Sequence, residues 1–310
     1  MRFFSADDVH SALSLSALAD AIAEAFRAGT TAPLRHAHAL SATDSLLLMP
    51  AWSTDPSGAL GVKLVTVLPN NRARGLSTVN ALYVLFDRES GEPCAVIDGE
   101  ALTLRRTAAA SLLAARYLAR SDARNVLIVG TGRLARFMAH AHCVGRDVER
   151  LLVWGRNTER AQALVSTLRT EGLPAESAVD LPRAVDTSHI VSCATTAASP
   201  IVHGAWLTPG THLDLVGAFK RGMREADDAA VARSEVYVDT YAGALAEAAD
   251  VIEPIERGVI AREDLRGELS ELVTGSVPGR KNVDDITLFK SVGTAIEDLA
   301  AAGLLVKLAG

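Results

Sequence analysis

Residues 125–135, NVLIVGTGRLA, join an apolar run to a glycine-rich turn and the start of a helical pattern. The apolar run predicts a buried strand. The turn reads G-x-G-x-x-A: Gly130 allows a tight bend, Gly132 lets the backbone approach a pyrophosphate, and Ala135 suits close helix–strand packing. The next helix would offer free N–H groups to phosphate. We expect a dinucleotide site here, although an ordinary strand–turn–helix, a mononucleotide site or an FAD site fits the same letters.

The sequence on either side of this loop changes in texture. From residue 125 onward, apolar runs alternate with helical segments (NVLIV, LLVW, HIVSCA, HLDLVG, EVYVD), as in a parallel α/β sheet. Before it, helices at 17–29 and 106–120 flank strand-like runs, and DRESGEP predicts a hairpin turn, so this part is α+β and mostly antiparallel. Those runs are 46–49, 61–68, 79–86 and 95–98. The C-terminal residues 292–308 predict a helix that need not belong to the parallel sheet.

The composition restricts the class of protein. A chain of 310 residues with 49% hydrophobic residues can build one large domain or two ordinary ones. The net charge of −6 gives no reason to expect a nucleic-acid partner. Three cysteines without a CxxC pair indicate a reducing compartment, and the acidic start and lack of a long apolar run favour a soluble, cytoplasmic protein without membrane association.

The residues after the second predicted strand bear on the choice of cofactor. Enzymes that use NAD place an acid there for the ribose 2′-hydroxyl, whereas those that use NADP often place an arginine. In LLVWGRNTER no acid occurs before Glu159, and Arg156, Asn157 and Thr158 occupy the position of a 2′-phosphate. The pattern favours NADP(H), with NAD(H) possible, and a solvated surface role for Arg156 is the alternative.

Three cations before the loop form a candidate substrate site. Lys63 alternates with Val65 and Val67 on one face of a strand, where it would either extend to solvent or pair within a site. Arg106 and Thr107 open the alanine-rich helix in the predicted structure and would form an anion site or a plain cap. With Arg35, these groups suggest a small carboxylate substrate. His36/His38 and His140/His142 are two apart, which separates them on a helix, so we predict no metal site.

Five segments in order give the chain a resemblance to a known family. GVKLVTVLPNN, LRRTAAAS, VGTGRLA, VGAFKRGMREAD and DITLFKSVGTAIEDLA resemble the ornithine cyclodeaminase/μ-crystallin family through nearly the whole chain. The resemblance implies an α/β fold: a Rossmann-type domain at 119–292 and a discontinuous α+β substrate and dimerisation domain at 1–118 and 293–310. It also implies NAD(P)(H), a small amino or imino acid substrate, and a homodimer.

The resemblance assigns individual residues as well. Lys63 and Arg106, with Arg35, match residues that bind the substrate carboxylate, and Lys63 and Arg106 are the candidate catalytic groups. Thr107 matches a cofactor-phosphate contact. The predicted cofactor contacts in the later part of the chain are Gly130, Thr131, Gly132, Arg133, Leu134, Gly155, Arg156, Asn157, Cys193, Ala194, Thr195, Val216, Gly217 and Ser291.

One position departs from the cyclodeaminases of this family. They carry a catalytic aspartate two residues after the glycine of the VG segment, where this chain has Phe219. Phenylalanine cannot accept a proton, and Asp214 precedes the glycine and cannot replace that group. Glu225 and Lys290 resemble the reductase-like branch.

With these residues, the resemblance implies an NADPH-dependent imine reductase that makes L-proline or L-pipecolate from Δ1-pyrroline-2-carboxylate or Δ1-piperideine-2-carboxylate. The alternatives are ornithine cyclodeaminase, an alanine dehydrogenase-like enzyme, and a non-catalytic binding protein of the μ-crystallin kind.

Overall fold

The computed structural model describes residues 1–55 and 58–310. They form two units: Met1–Ala109 with Thr294–Gly310 is unit 1, and Ala110–Gly293 is unit 2. The first predicted domain boundary, after residue 118, falls nine residues beyond the observed one, because a single helix continues through the boundary. The second, before residue 293, differs by one residue.

The strands and helices are numbered in chain order. The strands are β1 Arg2–Phe4, β2 His36–Ala39, β3 Ser45–Trp52, β4 Ala59–Val67, β5 Val79–Asp87, β6 Pro93–Asp98, β7 Asn125–Val129, β8 Arg150–Trp154, β9 Ala175–Ser177, β10 Ile190–Cys193, β11 His212–Leu215, β12 Glu235–Val238, β13 Leu265–Glu268 and β14 Thr287–Lys290. The helices are α1 Ala6–Ala12, α2 Leu15–Arg27, α3 Gly99–Leu118, α4 Arg133–Cys143, α5 Thr158–Thr170, α6 Leu181–Asp186, α7 Asp228–Ala232, α8 Tyr241–Glu247, α9 Ala249–Glu256, α10 Leu269–Thr274 and α11 Ala295–Leu308. Short 3-10 helices lie at Pro69–Arg74, Gly204–Trp206 and Arg262–Asp264.

Unit 1 contains a six-stranded sheet in the order β1-β6-β5-β4-β3-β2. Its neighbouring strands are antiparallel except β1 and β6, which run parallel. The helix α11 packs on β3, β4 and β5, and α2 packs on α11. The C-terminal helix therefore returns to the first unit and covers one face of its sheet.

The opposite face of this sheet is apolar and partly exposed. Leu64 on β4 pairs in register with Leu82 on β5 and with Leu48 on β3. Leu64 and Leu82 are 36% and 45% exposed. Lys63 and Tyr83, which are adjacent to them in sequence, are buried on the face that α11 covers. The period of two between successive side chains separates these two faces.

The helix α3 begins earlier than the alanine-rich pattern predicted. It starts at Gly99, and the Asp98 carboxylate accepts a hydrogen bond from the backbone N–H of Ala101 at 2.8 Å, as a capping residue does. Arg106 and Thr107 consequently lie in the interior of the helix. The prediction that they form an anion site at a helix N-terminus was wrong, because the N–H groups around them already belong to the helical ladder.

Unit 2 contains an eight-stranded parallel sheet in the order β13-β12-β14-β11-β10-β7-β8-β9. Residues 126–129 of β7, an interior strand between β10 and β8, are fully buried. The chain moves outward from β7 through β8 to β9 and then crosses to β10 on the other side. This reversal opens a crevice at the carboxyl ends of β7 and β10, where doubly wound folds bind ligands. The predicted fold class is confirmed. No described helix combines the length and the apolar character that crossing a membrane requires.

Candidate functional site

The loop between β7 and α4 has the geometry of a phosphate-binding turn. Gly130 has φ +129°, and a methyl group there would lie 2.6 Å from the carbonyl oxygen of Ala194. Gly132 caps α4 without offering a side chain, and a methyl group at this position would meet no described atom within 4 Å. The N-terminus of an 11-residue helix therefore faces open space that a pyrophosphate could occupy. The residues present fit a dinucleotide.

Two further loops at the carboxyl ends of the strands approach this turn or each other closely. A methyl group at Gly155, after β8, would lie 2.5 Å from Cγ2 of Thr131. A methyl group at Gly217, after β11, would lie 2.1 Å from the carbonyl oxygen of Thr195. The fold thus brings the ends of β7, β8, β10 and β11 to one edge, and most of the predicted cofactor contacts lie along it.

The residues proposed to select the cofactor differ in their availability. The Asn157 side chain accepts a hydrogen bond from the backbone N–H of Arg160 at 2.8 Å and caps α5, so its oxygen is already engaged. Arg156 is exposed at the end of the preceding loop. Arg156 is therefore the better placed of the two for a 2′-phosphate.

Two other predicted cofactor residues serve the packing of unit 2. Ser291 is buried and donates a hydrogen bond to the Asp239 carboxylate at 3.0 Å. Cys193 is fully buried, and burial raises the pKa of its thiol well above the usual value. Their contribution to binding would come through their backbone or their position.

The candidate substrate site in unit 1 is a buried cluster of paired charges. The ammonium of Lys63 lies 2.9 Å and 2.7 Å from the two oxygens of Asp298 and donates to Thr103 at 3.3 Å. Arg106 donates to Asp298 at 3.0 Å and to Glu297 at 2.7 Å. The fold therefore brings Lys63 and Arg106 together, and one carboxylate bridges them.

The electrostatics of this cluster follow from burial and proximity. Burial lowers the pKa of Lys63 to about 8; Asp298 opposes this shift, and the charges of Arg106 and Arg35 add to it. For Asp298, burial alone would raise the pKa, but Lys63, Arg106 and Arg35 outweigh it and hold the pKa below the usual value. Half-buried Arg35 is thus near enough to act on both groups. A lysine with this pKa can exchange a proton near neutral pH.

Sequence reasoning missed the acidic half of this cluster. Glu297 and Asp298 are fully buried in the first turn of α11. Two adjacent acids at the start of an otherwise apolar helix were a usable signal, because buried carboxylates require partners. Tyr83 was also missed: it lies opposite Lys63 in register, and among the described residues its buried hydroxyl finds no hydrogen-bond acceptor or donor.

Phe219, which replaces the aspartate of the cyclodeaminases, and the nearby Asp214 both make structural contacts. Phe219 is partly buried against the apolar core of unit 2. The carboxylate of Asp214 is fully buried and accepts hydrogen bonds from Ser111 at 3.0 Å and Ser192 at 2.8 Å, while Nε2 of His142 lies 2.9 Å away. Asp214 is therefore engaged inside the core.

The histidine pairs differ from the helical interpretation in one case. His140 and His142 lie on α4, where His140 contacts Glu171 at 2.6 Å. His36 and His38 lie on β2 instead. Because side chains two positions apart on a strand share a face, both lie on the same face of this exposed edge strand. The statement that these two are splayed on a helix was wrong. Among the described residues, no group of three or more His, Cys, Asp or Glu side chains is arranged to hold a metal ion.

Comparison with known proteins places these features in a family. The model of the Ornithine cyclodeaminase/mu-crystallin family matches residues 2–307. A Δ1-pyrroline-2-carboxylate reductase of Paracoccus denitrificans is 40% identical over 291 residues, which cover 92% of this chain and 91% of the relative.

Solved structures support the same family assignment. A Δ1-pyrroline-2-carboxylate reductase of Thermococcus litoralis, in complex with NADH and L-proline, superposes with a TM-score of 0.95 at 36% identity, over 100% of this chain and 97% of that one. An archaeal alanine dehydrogenase dimer with bound NAD superposes with a TM-score of 0.92 at 29% identity, over 99% and 95%. The predicted resemblance is confirmed, and the chain belongs to the ornithine cyclodeaminase/mu-crystallin family.

Proposed function

We propose that this protein reduces the C=N bond of a small cyclic imino acid, Δ1-pyrroline-2-carboxylate or Δ1-piperideine-2-carboxylate, to L-proline or L-pipecolate. It is an NAD(P)-dependent oxidoreductase. The observation that carries the proposal is the convergence of Lys63, Arg106 and Arg35 around Asp298 in unit 1. The reductase activity in the names of its relatives supports the same reaction.

The cations would bind the carboxylate of the substrate. A guanidinium offers two parallel N–H donors to a carboxylate, and burial strengthens such hydrogen bonds. Arg106 donates from Nε to Asp298 and from Nη1 to Glu297, which fixes the orientation of its planar group. We infer that Arg106 and Arg35 hold the substrate carboxylate, and that Lys63 contributes charge at the same place.

Lys63 is also the proposed proton donor. Reduction of an imine adds a hydride to the ring carbon and a proton to the ring nitrogen, and the nicotinamide supplies the hydride. The ammonium of Lys63 can supply the proton directly or through a water, because its pKa of about 8 leaves it protonated at neutral pH and able to release the proton. The Asp298 carboxylate then remains as the partner that favours reprotonation of the amine.

We infer that unit 2 binds the cofactor along the edge formed by Gly130, Gly132, Gly155 and Gly217, and that NADPH is preferred over NADH. Exposed Arg156 supports this preference. Titrations of the protein with each cofactor should show tighter binding of NADPH, and Arg156→Asp should erase the difference. Equal binding of both cofactors by the wild type would contradict the role of Arg156. Related structures contain NADH or NAD.

We also propose that the protein is a homodimer whose interface includes the apolar sheet face of unit 1. Leu64 and Leu82 lie side by side there and are exposed in the single chain. Contiguous exposed apolar surface favours association, and the related alanine dehydrogenase is a dimer. Light scattering should give twice the chain mass, and Leu64→Glu should yield monomers, while Leu308→Glu, at an exposed site on α11, should not.

The reaction is tested by nicotinamide absorbance with purified protein, NADPH or NADH, and each of the two imines. Rapid loss of reduced cofactor, with no ammonia from L-ornithine and NAD⁺, is the expected result. Ammonia from ornithine would mean that another group replaces the aspartate missing at Phe219. Bound cofactor with no turnover of either imine would contradict the proposed reaction and favour a binding protein. Reductive formation of L-alanine would favour an alanine dehydrogenase.

A further inference from the structure

Glu225 makes an unusual set of hydrogen bonds inside unit 2. It lies in the segment between β11 and α7 and is fully buried. One carboxylate oxygen accepts from the backbone N–H and the hydroxyl of Thr195, at 2.7 and 2.9 Å. The other oxygen accepts from the N–H groups of Gly217 and Ala218, at 2.8 and 3.1 Å. A single carboxylate thus joins the loop after β10 to the loop after β11.

A second layer holds Glu225 and the same loop. The backbone N–H groups of Glu225 and Ala226 donate to one oxygen of Asp250, at 2.8 and 3.2 Å. The other oxygen of Asp250 lies 3.0 Å from the ammonium of Lys290, which donates to the carbonyl of Ala218 at 2.5 Å. Asp250 and Lys290 are both fully buried. Hydrogen bonds to the N–H groups of this loop and to the carbonyl of Ala218 therefore fix the conformation of the loop after β11.

The carboxylate form of Glu225 suits this arrangement better than the acid. Three of its four donors are backbone N–H groups, which cannot accept a hydrogen bond from the O–H of a neutral carboxylic acid. The Thr195 hydroxyl alone could reverse its role. Protonation of Glu225 would therefore weaken the link between the two loops.

We propose that Glu225 is a positioning residue whose ionised carboxylate fixes Thr195, Gly217 and Ala218 in the conformation that receives the nicotinamide half of the cofactor. This inference rests on the proposed function, which puts a nicotinamide dinucleotide at these loops. In doubly wound folds the pyrophosphate lies at the first glycine-rich turn, and the adenosine half extends toward the second strand. The loops after β10 and β11 are on the other side of that turn. The effect of Glu225 should therefore be confined to one end of the cofactor.

The surroundings of Glu225 bring the pKa of its carboxyl group into the neutral range. Burial raises its pKa to about 7, the charge of Asp250 adds to the rise, and Lys290 and the hydrogen bonds from Thr195 oppose it. The titratable groups that face it are Cys193 on β10, Asp250 on α9 and Lys290 on β14. Adjacent Arg224 instead pairs with Asp228 and Glu253.

The test compares NADH with ADP-ribose, which lacks the nicotinamide, in binding titrations from pH 6 to pH 9. In the wild type, NADH affinity should fall below about pH 7 as Glu225 gains a proton, while ADP-ribose affinity stays level. Glu225→Gln should weaken NADH about 10- to 100-fold, the range for hydrogen bonds to a charged group, and remove the pH step. Glu256→Gln, at an exposed site on α9, is the matched control and should behave as the wild type.

The possible results separate this inference from the proposed function. Equal weakening of NADH and ADP-ribose in Glu225→Gln, or NADH binding by the wild type without a step near pH 7, overturns the positioning role. If Glu225→Gln folds poorly, the pH titration of the wild type can still refute the inference, because it needs no variant. A wild type that binds NADH with this step but reduces no imine refutes the proposed reaction and supports the role of Glu225. Failure to bind either NADH or NADPH refutes both.

Discussion

The two units contain buried charge clusters that are compensated in different ways. In unit 1, the cations Lys63 and Arg106 meet the carboxylates of Glu297 and Asp298. In unit 2, the carboxylates of Glu225 and Asp250 share the charge of Lys290, and the Thr195 hydroxyl and backbone N–H groups supply their hydrogen bonds. Those donors belong to Thr195, Gly217, Ala218, Glu225 and Ala226.

This difference determines which group titrates near neutral pH. Within the cluster of unit 1, opposite charges hold the pKa of Asp298 below its usual value, and burial brings the pKa of Lys63 to about 8. Within the cluster of unit 2, burial outweighs Lys290 and the hydrogen bonds and brings the pKa of an acid, Glu225, to about 7. A cation thus titrates in one unit and a carboxyl group in the other, which suits proton donation in the first and loop positioning in the second.

The largest effect is expected from Lys63→Met. The substitution removes the proposed proton donor, and general acid catalysis contributes about 10²- to 10⁴-fold in rate. Turnover of the imine should fall by about that factor, while the affinity for NADPH stays unchanged because Lys63 is not among the predicted cofactor residues. Steady-state kinetics and cofactor titration measure the two quantities. Lys307→Met, at an exposed site on α11, should retain wild-type turnover. Equal turnover in Lys63→Met would refute the role of Lys63.

Asp298→Ala should cause the largest loss of stability. It leaves the buried cations Lys63 and Arg106 without the carboxylate that joins them, and breaking a buried ion pair costs about 3–5 kcal/mol. Urea unfolding followed by circular dichroism measures the change. Asp147→Ala is the control, because Asp147 is 87% exposed and its loss should stay within about 0.5 kcal/mol. A change as small as the control's would mean that the cluster in unit 1 adds little to stability.

The pH dependence of stability should have opposite signs in the two units. Between pH 4.5 and about 7, folded Glu225 keeps a proton that the unfolded chain has lost, so its contribution to stability falls as pH rises. Between about 8 and 10.5, folded Lys63 has lost a proton that the unfolded chain retains, so stability rises with pH. Each change is of the order of 3 kcal/mol. Unfolding free energies measured against pH should lose the first slope in Glu225→Gln and the second in Lys63→Met. Slopes that persist in these variants would assign them to other groups.

The smallest effects are expected from two tyrosines. Removing the hydroxyl in Tyr83→Phe should leave stability unchanged or raise it by about 1 kcal/mol, because among the described residues this buried hydroxyl has no partner. Tyr237 in unit 2 donates to the carbonyls of Pro278 and Gly279, at 3.0 and 3.2 Å, so Tyr237→Phe should lower stability by about 1 kcal/mol. Thermal unfolding compares the pair. A loss in Tyr83→Phe matching that in Tyr237→Phe would indicate a hydrogen bond that the structure lacks.

The phosphate loop was predictable because its signal is local. Strand, glycines and helix are consecutive, and the structure gives a steric reason for Gly130, which lies beside Ala194, and open space at Gly132. The periodicity also gave the face of Lys63 correctly, since Lys63 and Val65 are both buried. Short elements were harder: β9 has three residues and β13 four, too few for a period to show.

The charge cluster of unit 1 was only half predictable, because its members are far apart in the chain. Asp298 is 235 positions from Lys63 and 192 from Arg106. Local patterns show which residues need partners but not which distant residue supplies them. The start of α3 was missed for a different reason: the helix begins at Gly99, directly after β6, and Asp98 is both the last residue of that strand and the residue that caps the helix.

The return of α11 to the first unit has a consequence for how the protein is made. Sheet residues up to Asp98 leave the ribosome long before residues 294–308, and Lys63 and Arg106 are without Glu297 and Asp298 until synthesis is nearly finished. Since long-range contacts form slowly and incomplete domains expose apolar surface, unit 1 should remain open to proteases and chaperones on the nascent chain. Unit 2, which is continuous in sequence, can fold first.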